Sequence, residues 1–249
     1  MKAQYGLIGY PLGHSFSRSF FTKKFQEEKI DAEYLNFEIP EASTLLRIIQ
    51  EHPHLKGVNV TLPHKVPVIP LLHELSPEAA AIGAVNVIRI THTPTGETYL
   101  KGFNSDVIGF TDSIRPLLKS YHRKALVLGT GGASKAICRG LENLGIEWTY
   151  VSRNSGPDRL TYSQLTPMIL KEYTVIVNCS PVGMYPKVDQ CPSLPYECLT
   201  ASHLLYDIVY NPTTTLFMKR GAEQGATVKN GIEMLERQAI ASWEFWNAK

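Results

Sequence analysis

Apolar residues in this chain fall in short runs separated by longer amphipathic stretches, the pattern of alternating strands and helices. Residues 5–8 read as a short apolar strand stopped by Gly9-Tyr10-Pro11-Leu12-Gly13, and the next helix carries Phe20, Phe21, Phe25 and Ile30 on one side. Residues 32–39 alternate as a strand, 41–50 read as helix, and 57–61 as a strand running into Pro63. Residues 83–90 and 98–102 predict a strand pair across the turn Thr93-Pro94-Thr95-Gly96. A helical stretch over residues 105–120 leads into a second series, with strands at 124–128, 146–152, 175–179 and 204–209 and a helix at 133–144. The last helix, residues 232–247, places Ile232, Leu235, Ala239, Trp243 and Trp246 on one stripe. This order predicts the α/β class with parallel layers, a first lobe to about residue 105 and a second lobe beyond it.

Composition narrows the function. At 249 residues, 43% of them hydrophobic, the chain can bury one large core or two ordinary ones. A net charge of +2 gives no electrostatic footprint for nucleic acid. Cys138, Cys179, Cys191 and Cys198 form no C-x-x-C pair, and no histidine pair lies beside them at zinc spacing, so no metal is expected. No segment approaches the ~20 apolar residues of a membrane span, and the simplest expectation is a reduced, cytoplasmic protein without a membrane partner.

The most specific local signal is Gly129-Thr130-Gly131-Gly132-Ala133-Ser134, set between the apolar strand Ala125-Leu126-Val127-Leu128 and a helix. Glycines there let the backbone approach a pyrophosphate while free helix amides point at it. A purely structural turn, or a methyl-donor site, would use similar residues. The next strand ends in Ser152-Arg153-Asn154, where an NAD-preferring fold would place an acid about 20 residues on. A cation and a hydroxyl suit a 2′-phosphate, so NADP(H) is favoured over NAD, with Arg159 a second cation and Asp158 an opposing charge.

The first lobe holds a polar set. His14-Ser15-Phe16-Ser17 offers hydroxyls beside free helix amides, although Ser17 would also serve as an ordinary N-cap. Gly57-Val58-Asn59-Val60-Thr61-Leu62-Pro63-His64-Lys65 ends a strand in a lysine, whose pKa partial burial would lower toward proton-transfer duty. Gly83-Ala84-Val85-Asn86 adds an amide, and Phe103-Asn104-Ser105-Asp106 a carboxylate where the lobes join.

Taken in order, Ser15-Phe16-Ser17, Asn59-Val60-Thr61-x-Pro63-x-Lys65, Gly83-Ala84-Val85-Asn86, Asn104-Ser105-Asp106, the glycine turn and Met234-Leu235-x-x-Gln238 resemble shikimate dehydrogenase over essentially the whole chain. The resemblance implies NADPH-dependent, reversible reduction of 3-dehydroshikimate to shikimate by a monomer or homodimer. It implies an N-terminal α/β substrate domain, 1–105 plus 232–249, and a C-terminal Rossmann-like NADP-binding domain, 106–231. The catalytic pair would fall on Lys65 and Asp106. Substrate contacts would fall on Ser15, Ser17, Thr61, Asn86, Gln238 and Tyr210. Cofactor contacts would fall on the residues of the glycine turn, Ser152, Arg153, Asn178, Met184 and Gly231. The chain departs from the family pattern at Phe103, Val107 and Arg18, where aspartate, glycine and proline are usual, and at Ser152-Arg153-Asn154, where the family commonly has N-R-T. A quinate or quinate/shikimate dehydrogenase using NAD, and a catalytically idle dinucleotide sensor, are the competing readings.

Overall fold

In the strand Ala3-Gln4-Tyr5-Gly6-Leu7-Ile8-Gly9, period two sends Tyr5 and Leu7 to one face and Ile8 to the other, and each face finds its own cover. In the computed structural model, which describes residues 2–13, 15–93 and 97–248, the chain divides into two compact units, Met1–Ser105 with Gln238–Lys249, and Asp106–Arg237. The first unit holds β1 (Ala3–Gly9), α1 (Phe16–Glu27), β2 (Ala32–Glu38), α2 (Thr44–Glu51), β3 (Leu55–Val60), β4 (Glu74–Leu75), α3 (Pro77–Ile82), β5 (Val87–His92) and β6 (Thr98–Phe103). Its strands lie in the order β2-β1-β3-β5-β6-β4. The β1–β2, β1–β3 and β4–β6 pairs are parallel, the expected strand pair is the antiparallel pair β5–β6, and β5 also runs antiparallel to β3. Residues 94–96 of the expected turn lie outside the described residues. The strand predicted from residue 83 begins only at Val87, because Gly83 caps α3 in the left-handed conformation.

One face of this sheet buries Ile8, Leu55, Val58, Ile88 and Leu100 against Leu45 and Ile48 of α2. The other buries Tyr5, Leu7, Val87 and Phe103 with Phe21 and Phe25 of α1 and with Ala239 and Trp246. The last two belong to the C-terminal helix α8 (Ile232–Asn247). Gly57 lets Trp246 lie flat on β3: a Cβ there would stand 2.2 Å from the indole Cδ1, and the indole N–H already donates to the Ile88 carbonyl at 3.1 Å. Gly57→Ala is expected to lower unfolding free energy by roughly 1–3 kcal/mol through overpacking, read by urea denaturation. An unchanged midpoint would show that Trp246 yields freely.

The second unit is α4 (Asp106–Ile114), β7 (Lys124–Leu128), α5 (Gly132–Asn143), β8 (Glu147–Ser152), β9 (Arg159–Thr161), α6 (Pro167–Glu172), β10 (Val175–Asn178), β11 (Leu204–Asp207), α7 (Leu216–Glu223) and β12 (Thr227–Lys229). Its α4 is shorter than the helix predicted over 105–120, because Pro116 lacks the N–H that would continue it and the chain turns through a short 3₁₀ segment at Arg115–Leu117. The sheet is parallel throughout, in the order β12-β11-β10-β7-β8-β9. That is the doubly wound, Rossmann-like order, with its switch point between β7 and β10. Alternate residues of the buried strands serve both sides: Val127, Val177 and Tyr206 pack with Phe110 and Ile137, while Leu128, Ile176 and Leu205 pack with Leu170 and Phe217.

Candidate functional site

At the switch point the chain leaves β7 through Gly129, whose φ of +98° suits glycine and whose N–H donates to the Val151 carbonyl at 2.9 Å. Gly131 is the N-cap of α5, with no side chain bonded to the first-turn amides and no acid in that turn. A Cβ built at Gly131 or Gly132 would meet no atom within 4 Å. Open space thus lies before amides that no side chain claims, at the positive end of a 12-residue helix, a ready site for an anion. A cavity of about 550 Å³ begins here, with Gly129, Thr130 and Gly131 in its wall.

Ser152, Arg153, Asn154 and Arg159 line the same cavity, so both arginines singled out in the sequence stand on one groove with the glycine turn. The Ser152 hydroxyl donates to the Asn154 carbonyl at 2.5 Å and shapes that loop. Ser134 is turned the other way: it is fully buried and donates to the Gly131 carbonyl at 2.6 Å, so its side chain closes the turn from beneath.

The groove's opposite wall is Cys179, Ser180, Pro181 and Val182, carried by the end of β10. Asn178 does not face the groove with a free amide. Its Nδ2 donates to Asp207 Oδ1 at 3.0 Å and to the Val182 carbonyl at 3.4 Å, and its Oδ1 accepts from Ser180 N and Oγ at 3.1 and 2.7 Å. Met184 is exposed beyond this wall, its N–H donating to the Pro181 carbonyl at 3.2 Å. Tyr210 is exposed after β11. Gly231 is set against Ile208, where a Cβ would lie 2.2 Å from the carbonyl oxygen.

One residue here escaped the sequence reading. Asp207 ends β11 with no exposure and accepts from Thr215 Oγ1 at 2.6 Å, Asn178 Nδ2 at 3.0 Å and Val209 N at 3.1 Å. Burial pushes its carboxyl up to about 6, and the three donors hold back the rise. An acid closing the apolar run Leu204-Leu205-Tyr206 was the signal that could have found it.

In the first unit three of the expected substrate residues, Ser17, Asn86 and Gln238, belong to one largely buried polar network. Ser15, and not Ser17, is the N-cap of α1, its Oγ accepting from Arg18 N at 3.1 Å. Ser17 hydrogen bonds the Tyr34 phenol, whose pKa burial raises. The phenol donates to Asn59 Oδ1 at 2.7 Å, and Asn59 Nδ2 donates to Ser242 Oγ at 2.9 Å. Ser242 Oγ lies 3.1 Å from Ser105 Oγ, which accepts from Asn86 Nδ2 at 3.0 Å and bonds Gln238 Oε1 at 3.4 Å. Hydroxyls and amides from α1, β2, β3 and α8 therefore converge on Ser17, Asn86 and Gln238. Tyr34 and Ser242 were not singled out in the sequence, and Ser242 lies one helical turn beyond Gln238.

Lys65 stands half-buried after the turn at Thr61. That turn is closed by His64 N–H to the Thr61 carbonyl at 2.9 Å and by the His64 ring against the Ile39 carbonyl at 2.7 Å. Val85 N–H donates to the Lys65 carbonyl at 2.7 Å. In the second unit Asp106 is buried as the first residue of α4. Position 14 lies outside the described residues. Among those described, no group of His, Cys, Asp and Glu could hold a metal ion, and no helix is long and apolar enough to cross a membrane.

Comparison with known proteins gives this arrangement a family. Residues 7–88 match the model of the shikimate dehydrogenase substrate binding domain. A shikimate dehydrogenase (NADP(+)) of Clostridium beijerinckii is 37% identical over 252 residues, covering 97% of this chain and 91% of the relative. The crystal structure of a chorismate mutase/shikimate 5-dehydrogenase fusion protein from Clostridium acetobutylicum superposes with a TM-score of 0.85 at 34% identity, over 99% of this chain and 92% of that one. Shikimate 5-dehydrogenase from Thermus thermophilus, solved in complex with NADP(H) and shikimate, gives a TM-score of 0.85 at 27% identity, over 99% and 94% of the two chains. The chain belongs to the shikimate dehydrogenase family.

Proposed function

We propose that this chain is a cytoplasmic, NADP-dependent shikimate dehydrogenase, a monomer or homodimer that reversibly reduces 3-dehydroshikimate to shikimate. The observation that carries the reading is the buried network joining Ser17, Asn59, Asn86 and Gln238, in a chain whose relatives are named for that activity over nearly their full length. A polyhydroxylated carboxylic acid needs such a set of donors and acceptors fixed in advance.

The residues of the second unit fit a phosphorylated dinucleotide. Gly129 to Ala133 with the first-turn amides of α5 would hold the pyrophosphate, and Arg153 with Arg159 the 2′-phosphate. When bound, the nicotinamide supplies or takes up a hydride. Ser15 accepts from Arg18 N and so keeps its own proton to give to the substrate carboxylate, with Ser17 beside it. Thr61, Asn86, Gln238 and Tyr210 bind the remaining hydroxyls. Lys65 protonates the oxygen of the carbonyl as it is reduced and takes the proton back in the reverse direction, and Asp106 is the second member of the proposed catalytic pair.

Absorbance at the nicotinamide band tests the proposal directly: shikimate with NADP should give the fastest reduction. Preference for quinate with NAD would move the chain to the quinate branch, and tight NADPH binding without turnover would make it a sensor. Arg153→Ala is expected to raise KM for NADP roughly 10–100-fold, the loss of charge-assisted hydrogen bonds worth about 1.5–3 kcal/mol, and to leave KM for NAD nearly unchanged. An equal rise for both cofactors would place the arginine elsewhere on the dinucleotide.

A further inference from the structure

The dinucleotide groove has one rigid wall and one that must be held. The glycine turn is fixed by β7 and α5, whereas Cys179 to Val182 is a loop leaving the end of β10. The two walls nearly touch: a Cβ on Gly129 would lie 3.3 Å from Ser180 N and 3.4 Å from Ser180 Cβ. A small shift of the loop therefore narrows or opens the groove. Cys179 N–H donates to the Leu128 carbonyl at 2.9 Å, and beyond it Ser180 and Val182 are held by the Asn178 amide, whose Nδ2 is held in turn by Asp207.

We infer that Asp207 is a positioning residue for the dinucleotide, setting the Ser180–Val182 wall through Asn178 while anchoring the neighbouring 208–210 segment and the start of α7. Three elements meet on this single carboxylate. Oδ1 takes the Asn178 amide from β10 and the Val209 N–H that begins the path to Tyr210. Oδ2 takes the Thr215 hydroxyl, and Thr215 also caps α7 by accepting from Met218 N. The Val209 carbonyl in turn accepts from Gly231 N at 3.2 Å, and Ile208 is the residue against which Gly231 packs. Asn178, Tyr210 and Gly231, each implied by the family resemblance to meet a ligand, thus hang from a group that meets none itself. A buried carboxylate is costly to desolvate and raises its own pKa in this fold, so packing alone gives no reason for an acid here. An acceptor with lone pairs for three donors gives one.

The inference rests on the dinucleotide reading, so NADPH binding to the wild-type protein is measured alongside the variants by nicotinamide fluorescence. Asp207→Ala is expected to weaken NADPH roughly 10–100-fold, because misplacement of a supporting group typically costs that much, with a smaller rise of about threefold in KM for shikimate through the loosened Tyr210 segment. Asp207→Asn should restore affinity to within about threefold: its carbonyl serves Asn178 and Val209, and its amide meets the Thr215 hydroxyl, which can accept. Should the alanine variant not fold, Asn178→Ala cuts the link to Ser180 and is expected to give the same selective loss. Unchanged NADPH affinity in a folded Asp207→Ala protein, a parallel loss for both substrates, or no rescue by asparagine overturns the proposal. Wild-type protein that does not bind NADPH removes the dinucleotide reading and this proposal together.

Discussion

Lys65→Ala is expected to lower turnover with shikimate and NADP by about 10²–10⁴-fold, the usual worth of a general acid or base, while KM for shikimate stays within about threefold. The substitution is a clean one because the backbone that presents Lys65 is held by other groups. Thr61 and His64 close the turn before it, and Val85 N–H pins its carbonyl from the adjoining segment. None of these contacts involves the ammonium, so its removal leaves the loop in place. Substrate binding is proposed to rest mainly on the Ser17, Asn86 and Gln238 network, which the variant leaves whole. The proposed role thus predicts a fall in kcat and kcat/KM together, the signature of an interaction made in the transition state. A rise in KM with kcat intact would make Lys65 an anchor for a substrate hydroxyl. Lys65→Arg keeps the charge but not the readiness to give up a proton, and should be nearly as slow as alanine.

How much of this was legible in the sequence follows from how local each determinant is. The strands β7 and β11 and the glycine turn were plain, because a buried parallel strand is a continuous apolar run and a dinucleotide turn writes its glycines consecutively. Elements of three to eight residues were missed: β9, β12, α3, α6 and α7 are too short for a period to emerge, and their caps at Ser76, Thr166 and Thr215 were the only clues. In the first unit, motifs gave Ser17, Asn86 and Gln238, but not that Tyr34, Asn59 and Ser242 join them. Such links span up to 183 positions and belong to topology, not spacing. Asp207 and Ser134 show the converse. An acid at the end of a strand and a serine in a glycine turn both look exposed to a ligand in one dimension, and both are turned wholly inward in three.

Gly131→Asp is expected to weaken NADPH binding by about 10³-fold while leaving thermal stability unchanged or slightly raised, a loss of about 4 kcal/mol of binding set against a few tenths gained in the fold. The two effects have opposite sign because they arise from the same amides. Gly131 has φ −75° and ψ 178°, a conformation open to any residue, and an added Cβ meets nothing within 4 Å. Aspartate is among the preferred N-caps, and gains a few tenths of a kcal/mol over glycine by accepting from the first-turn N–H groups and by sitting at the positive end of the helix. Those groups are the ones proposed to hold the pyrophosphate. The carboxylate would satisfy them permanently and set a negative charge beside the phosphates, a repulsion of about 4 kcal/mol at ~4 Å for groups near a protein surface. Gly131→Ala separates the two contributions, since it adds the Cβ without a charge or an acceptor and should cost far less affinity. Fluorescence titration with NADPH, beside thermal melts of all three proteins, reads both quantities. A Gly131→Asp protein that melts normally and still binds NADPH at the wild-type concentration would place the pyrophosphate elsewhere on this unit.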